Sequence, residues 1–164
     1  MKKRAVFILL VGSVFFITGK IFSQNTSYKV HSHNDYAQDL PFWYAYSNGA
    51  SSIEADVFLK NSMLYVTHAE DEIIEEHTLD KLYLDRLNNL EASGELRELQ
   101  LLIDLKSDAY ATLEKLEEVL KTYPNLINGD KVKFVISGNR PRPEEYQNYP
   151  PFIWFDHQNL EELS

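Results

Sequence analysis

The sequence has no cysteine. That excludes disulfides, zinc thiolate sites, thiol catalysis and lipid attachment through sulfur. Cations are in deficit, with 16 Lys and Arg against 25 Asp and Glu and a formal net charge of −9. So acidic a chain argues against nucleic acid or anionic membrane as a non-specific partner. It leaves room for a small phosphate-containing substrate, because a bound divalent cation reverses the local sign. No apolar run reaches the roughly 20 residues of a membrane-spanning helix. Internal repeats and low-complexity segments are also absent.

The longest apolar run is residues 5–18, broken only by Gly12 and Ser13. It follows Lys2, Lys3 and Arg4 and leads to Ser23 and Gln24. This is the layout of a secretory signal peptide cleaved near Ser23, which implies export to a periplasmic or extracellular space. A permanent membrane anchor is the alternative. Cleavage removes four cations, Lys2, Lys3, Arg4 and Lys20, and leaves 141 residues with 12 cations and 25 acids, a charge of −13. That length suffices for one domain with a real core. Ten Tyr, nine Phe and two Trp supply the apolar surface for it.

Strands are expected at 28–32, 52–59, 63–67, 99–105, 131–136 and 152–155. Asp39 is placed to cap a helix with Pro41 in its first turn and Gly49 after its end. A second helix starts at Ser107 or Asp108. Its apolar residues Ala109, Leu113, Leu116 and Leu120 follow the helical rhythm, and Pro124 ends it. Residues 70–98 are charged and broken by Gly94, and predict short helices and loops. Alternating strands and helices with short links imply an α/β fold around a parallel sheet. In such folds the site lies at the C-terminal ends of the strands.

Reactive residues fall at those positions. His31, Ser32, His33, Asn34 and Asp35 close the first strand. Glu54 and Asp56 are two apart and therefore share a face of the second. His68 ends the third strand, and Asp104 follows Leu101-Leu102-Ile103 with Lys106 two residues on. Two carboxylates on one face of an apolar strand are costly unless a cation or donors balance them. Three carboxylates without cysteine form a hard-cation set suited to Mg2+ or Ca2+. Histidines left beside them can serve as general base and acid. Arg140, after the strand ending at Ile136, is placed either to hold a phosphate or to turn the chain before Pro141. His77 reads as a surface residue, and His157 has no assigned place.

The run from His33 through Gly49-Ala50-Ser51-Ser52-Ile53-Glu54-Ala55-Asp56-Val57, then His68 and Ile103-Asp104-Leu105-Lys106, resembles the phospholipase C-like phosphodiesterase superfamily. That group includes glycerophosphodiester phosphodiesterases, phosphatidylinositol-specific phospholipases C and sphingomyelinase D. The nearest branch is a poorly characterised one with a His-Ser-His-Asn-Asp-Tyr start. The resemblance implies a (β/α)8 barrel, one divalent cation on Glu54, Asp56 and Asp104, and an acid/base pair of His33 and His68. Its substrates would be small phosphodiesters or lysophospholipid-type molecules. The His-Arg-Gly start of glycerophosphodiesterases is absent, and Ala69 stands where they carry Asp. Asp104-Leu105-Lys106 is closer to sphingomyelinase D. Such barrels run to about 250 residues, so residues 24–164 are expected to form an incomplete barrel of five or six strands.

Two other readings stand beside this one. His31-x-His33 could ligate zinc, manganese or iron, as in other metal-dependent hydrolases. An unfinished barrel could instead be an inactive binding module that self-associates through unpaired sheet edges.

Overall fold

The computed structural model describes residues 29–157. The expected signal peptide, 1–23, lies outside the described residues. Six strands form one sheet: β1 (His31–Ser32), β2 (Ser52–Lys60), β3 (Met63–Val66), β4 (Leu99–Leu105), β5 (Val132–Gly138) and β6 (Ile153–Phe155). The order is β1-β2-β4-β5-β6, parallel throughout, and β3 pairs antiparallel with β2. The turn between β2 and β3 carries Asn61 and Ser62, both at positive φ, as a tight two-residue hairpin turn requires.

The expected (β/α)8 barrel is not what forms. The sheet is open, with β1 and β6 at its ends. Barrel closure needs the two outermost strands to pair, with tilt and stagger matched around the ring. Here β1 has two residues and β6 three, and they end a five-strand parallel run rather than pair with each other.

One face of the sheet is buried. Ile53, Ala55 and Val57 of β2, Leu101, Ile103 and Leu105 of β4, and Phe134 and Ile136 of β5 are almost inaccessible. They join a single core with Leu113, Leu116 and Leu120 of α3 (Ala109–Lys121) and Leu87 and Leu90 of α2 (Asp85–Ser93). Each such Val, Leu, Ile or Phe side chain stabilises the fold by roughly 1.5–3 kcal/mol. The opposite face carries Glu54, Asp56, Asp104 and Ser137, together with exposed Lys133 and Trp154.

One local expectation needs correction, and two others need completing. The segment 80–93 is one continuous helical stretch, a π-helical turn at Asp80–Leu84 running into α2, because Leu82, Tyr83, Leu84, Leu87 and Leu90 all reach the core. Pro124 ends α3 but also opens a short helix, α4 (Pro124–Asn128), since proline fits a first helical turn. Asp39 is not the cap of the first helix, α1 (Trp43–Ser47). That position is Phe42, at φ 67° and ψ −57°. A bulky residue there costs about 1–3 kcal/mol. The conformation is held by Asp35, fully buried, whose carboxylate accepts the Phe42 N–H and, at 3.0 Å, the Tyr83 hydroxyl. Ser32 Oγ donates to the same carboxylate at 3.1 Å.

Candidate metal centre

Glu54 and Asp56 do not sit at the end of β2. They sit where its parallel section finishes, because β2 runs on to Lys60 to pair with β3. Along one edge of β2, β1 pairs only at Ser52 and Ile53, and β3 only from Val57 onward. The exit of β1 and the exit of β3 therefore converge beside Glu54 and Asp56. This delivers His31, His33 and His68 to the same place. On the other edge, the β2–β4 register sets Asp104 directly across from Asp56.

The three carboxylates each offer an oxygen within 4.8 Å of the others. Asp56 is fully buried, and Glu54 is 5% exposed. Two of the buried oxygens, Asp56 Oδ1 and Asp104 Oδ1, have no hydrogen-bond partner. At an effective dielectric of ~20, like charges at this spacing repel by roughly 3 kcal/mol per pair. Lys106 offsets part of that, with Nζ 3.3 Å from Asp56 Oδ2 and 3.3 Å from Asp104 Oδ2. Burial works against the Lys106 charge, but the two aspartates outweigh it and raise its pKa. Three carboxylates and one ammonium leave two negative charges uncompensated among these four groups, which suits a divalent cation.

The histidines are not equivalent. His31 is tied at both ring nitrogens, Nε2 2.9 Å from Glu54 Oε2 and Nδ1 2.9 Å from Ser52 Oγ. His33 is looser, 3.7 Å from Glu54 Oε1 and largely exposed. His68 Nδ1 lies 2.8 Å from Asp56 Oδ2, which leaves its Nε2 for other partners. Asp56 thus divides its labour: Oδ2 takes His68, Lys106 and, at 2.9 Å, the Tyr36 hydroxyl. Burial first, and then Asp56, push the Tyr36 phenol up, so it stays a proton donor.

Tyr36, Ser137 and Gly138 have no role assigned by the sequence reading. Tyr36 belongs to a short 3-10 turn, Asp35–Ala37, that folds it back over Asp56. The only sequence signal for it is its place at the end of the His-Ser-His-Asn-Asp-Tyr run. Ser137 faces Asp104 in the β4–β5 register, and its buried hydroxyl has no partner. Gly138, at φ 70°, leaves the space Asp104 needs: a Cβ there would lie 1.9 Å from Asp104 Oδ1. Arg140 donates to the Asp156 carbonyl and lines an open cleft with Lys106 and Asn139. His77 is half-buried behind β3, where its backbone carbonyl accepts the Val66 N–H. His157 lies past β6 and is exposed. Among the described residues, no helix is long and apolar enough to cross a membrane.

Residues 20–97 match the family described as AIM6-like phosphodiesterase domain. The matched stretch holds the three site histidines, Tyr36, Glu54 and Asp56, and stops short of Asp104. The chain is 51% identical to an altered inheritance of mitochondria protein 6 homolog of Arthroderma benhamiae, over 37% of this chain and 21% of that protein. It is 31% identical to altered inheritance of mitochondria protein 6 of Kluyveromyces lactis, over 73% of this chain and 40% of that one. The Saccharomyces cerevisiae protein of that name is 50% identical over 33% of this chain. The chain spans about a fifth to two fifths of the first two relatives. No solved structure matches it. The match makes the chain phosphodiesterase-like and similar to the AIM6 proteins, without extending to the phospholipase C-like superfamily as a whole.

Proposed function

We propose that this chain hydrolyses phosphodiesters with the help of one hard divalent cation, Mg2+ or Ca2+, held by Glu54, Asp56 and Asp104. The observation that carries this reading is the pair of buried, unpartnered oxygens on Asp56 and Asp104, within reach of Glu54. A buried carboxylate oxygen left without a partner costs about 1–3 kcal/mol or more, and a cation removes that cost. A cation bound there would stabilise charge on a phosphoryl oxygen and fix the orientation of the substrate.

The residues around the carboxylates divide the proton work. With its Nδ1 proton on Asp56, His68 presents Nε2 as a base toward the attacking oxygen, either water or a neighbouring substrate hydroxyl. As the new P–O bond forms, the proton passes to His68 Nε2. His33, exposed and loosely placed, protonates the leaving oxygen as the old P–O bond breaks. His31 holds Glu54 in place. Lys106 balances the aspartates. The exposed Arg140 cleft is a secondary place for substrate phosphate. The His31-x-His33 ligand alternative gains no support, because both His31 nitrogens are engaged.

Turnover of bis(p-nitrophenyl) phosphate by the full chain tests the proposal. Activity should require MgCl2 or CaCl2, stop with EDTA, and fall by 10²–10⁴-fold in His68→Ala. Calorimetry should show one divalent site, lost in Glu54→Ala. Activity indifferent to both EDTA and Glu54→Ala would sink the reading. Export after loss of residues 1–23 is part of the same proposal and rests on the sequence alone. The relatives' names refer to inheritance of mitochondria. Cell fractionation with N-terminal sequencing decides, with residue 24 expected first.

A further inference from the structure

The register places Asp56, Asp104 and Ser137 in one row across β2, β4 and β5, on the same face of the sheet. Each carries a buried oxygen without a hydrogen-bond partner: Asp56 Oδ1, Asp104 Oδ1 and Ser137 Oγ. Ser137 is 4% exposed, and a hydroxyl hidden from water without a partner is unfavourable. The row one step back is Glu54, Leu102 and Val135. Its β5 member is apolar, so filling space at Ser137 does not require a hydroxyl. Asp104 leans toward this end of β5, with Oδ1 close to where a Cβ on Gly138 would lie. Ser137 and Asp104 are thus neighbours whose free oxygens do not bond each other.

Charge decides what Ser137 can add. Asp56 and Asp104 each give Oδ2 to Lys106 and leave Oδ1 bare. Glu54, Asp56, Asp104 and Lys106 together carry two net negative charges, which one divalent cation balances. Hard cations nonetheless take roughly six to eight oxygen ligands. A further protein ligand that keeps the charge balanced is a neutral oxygen, and a serine hydroxyl supplies one on a short side chain.

We propose that Ser137 Oγ is a further ligand to the divalent cation held by Glu54, Asp56 and Asp104. The hydroxyl contributes a lone pair and keeps its proton. The inference rests on the cation site proposed above and extends it to β5.

The test measures cation binding to the full chain by calorimetry, with MgCl2 and with CdCl2, and the melting temperature without added cation. Ser137→Ala should weaken Mg2+ binding about tenfold or more. Its melting temperature without cation should hold or rise, because a buried hydroxyl without a partner is gone. Thr78→Val is the control. Thr78 Oγ1 is also buried and unpartnered, but Thr78 bridges to Tyr65, across β3 from β2. Mg2+ affinity should hold in that variant. Ser137→Cys exchanges a hard ligand for a soft one and should raise Cd2+ affinity relative to Mg2+. Unchanged Mg2+ affinity in Ser137→Ala overturns the role of Ser137, as does a Cd2+ to Mg2+ preference in Ser137→Cys equal to that of the unaltered chain. The two readings fail separately. If Glu54→Ala abolishes binding and Ser137→Ala changes nothing, the cation site stands and Ser137 lies outside it. An unaltered chain that binds neither metal removes the cation site itself, and the role of Ser137 with it.

Discussion

Replacing Gly138 by alanine puts a methyl group where Asp104 already is. The new Cβ would lie 1.9 Å from Asp104 Oδ1, 2.5 Å from the Leu105 carbonyl oxygen and 2.9 Å from the Leu105 nitrogen. Two of those atoms are backbone and cannot swing away. Gly94 supplies the control. Its φ is 73° against 70° at Gly138, and a Cβ on it would meet nothing within 4 Å. Gly94→Ala should therefore cost only the left-handed backbone term, about 1–2 kcal/mol. Gly138→Ala bears that term and an overpacking term of about 1–3 kcal/mol, together about 2–5 kcal/mol. With a urea m-value of about 2 kcal/mol/M, its unfolding midpoint should fall about 0.5–1.5 M further than that of the control. Asp104 must also move, so Mg2+ affinity by calorimetry should drop in Gly138→Ala and hold in Gly94→Ala. Equal midpoints and equal Mg2+ affinities for the two variants would refute the steric account of Gly138.

Further outcomes follow from the same geometry. Asp35→Ala strands the buried Tyr83 hydroxyl and the Phe42 N–H, and should cost about 2–4 kcal/mol in urea unfolding. Burial first, and then Asp35, hold the Tyr83 phenol well above its usual 10.0. The folded state therefore keeps that proton longer than the unfolded chain does. Stability should be full below pH 10 and decline as pH rises beyond it, with a shallower decline in Tyr83→Phe. Lys106→Met leaves three carboxylates with no lysine among them. The rise in melting temperature on adding MgCl2 should then exceed that of the unaltered chain.

Most strands were legible because each carries a simple pattern. Ile53, Ala55 and Val57 alternate with Glu54 and Asp56, and that alternation fixes both the strand and the face of its acids. The hairpin was visible in the short gap between the strands expected at 52–59 and 63–67, and α3 in its leucine spacing. Sheet closure was not legible. It depends on whether distant edges meet, which no local pattern records. The residues that complete the site were hidden for the same reason. Asp35 works on a residue seven positions away, Tyr36 reaches a carboxylate twenty positions on, and Gly138 matters because of the register between β4 and β5. The helical stretch at 80–93 was obscured by its charge, since its buried residues come in a cluster rather than an even stripe.

The shared edge of β2 also bears on the order in which the chain assembles. The β2–β3 hairpin joins residues only 3 to 9 apart, and hairpins form in about 1–10 μs. Closing it carries His68 to Asp56 before any distant contact is needed. Asp104 arrives from 48 residues further along, after a loop closure whose entropy must be met first. The histidine–aspartate pair should thus exist early in folding, and cation affinity should appear only when β4 docks. In stopped-flow refolding, Mg2+ would then accelerate nothing in the first phase and stabilise only the product of the last.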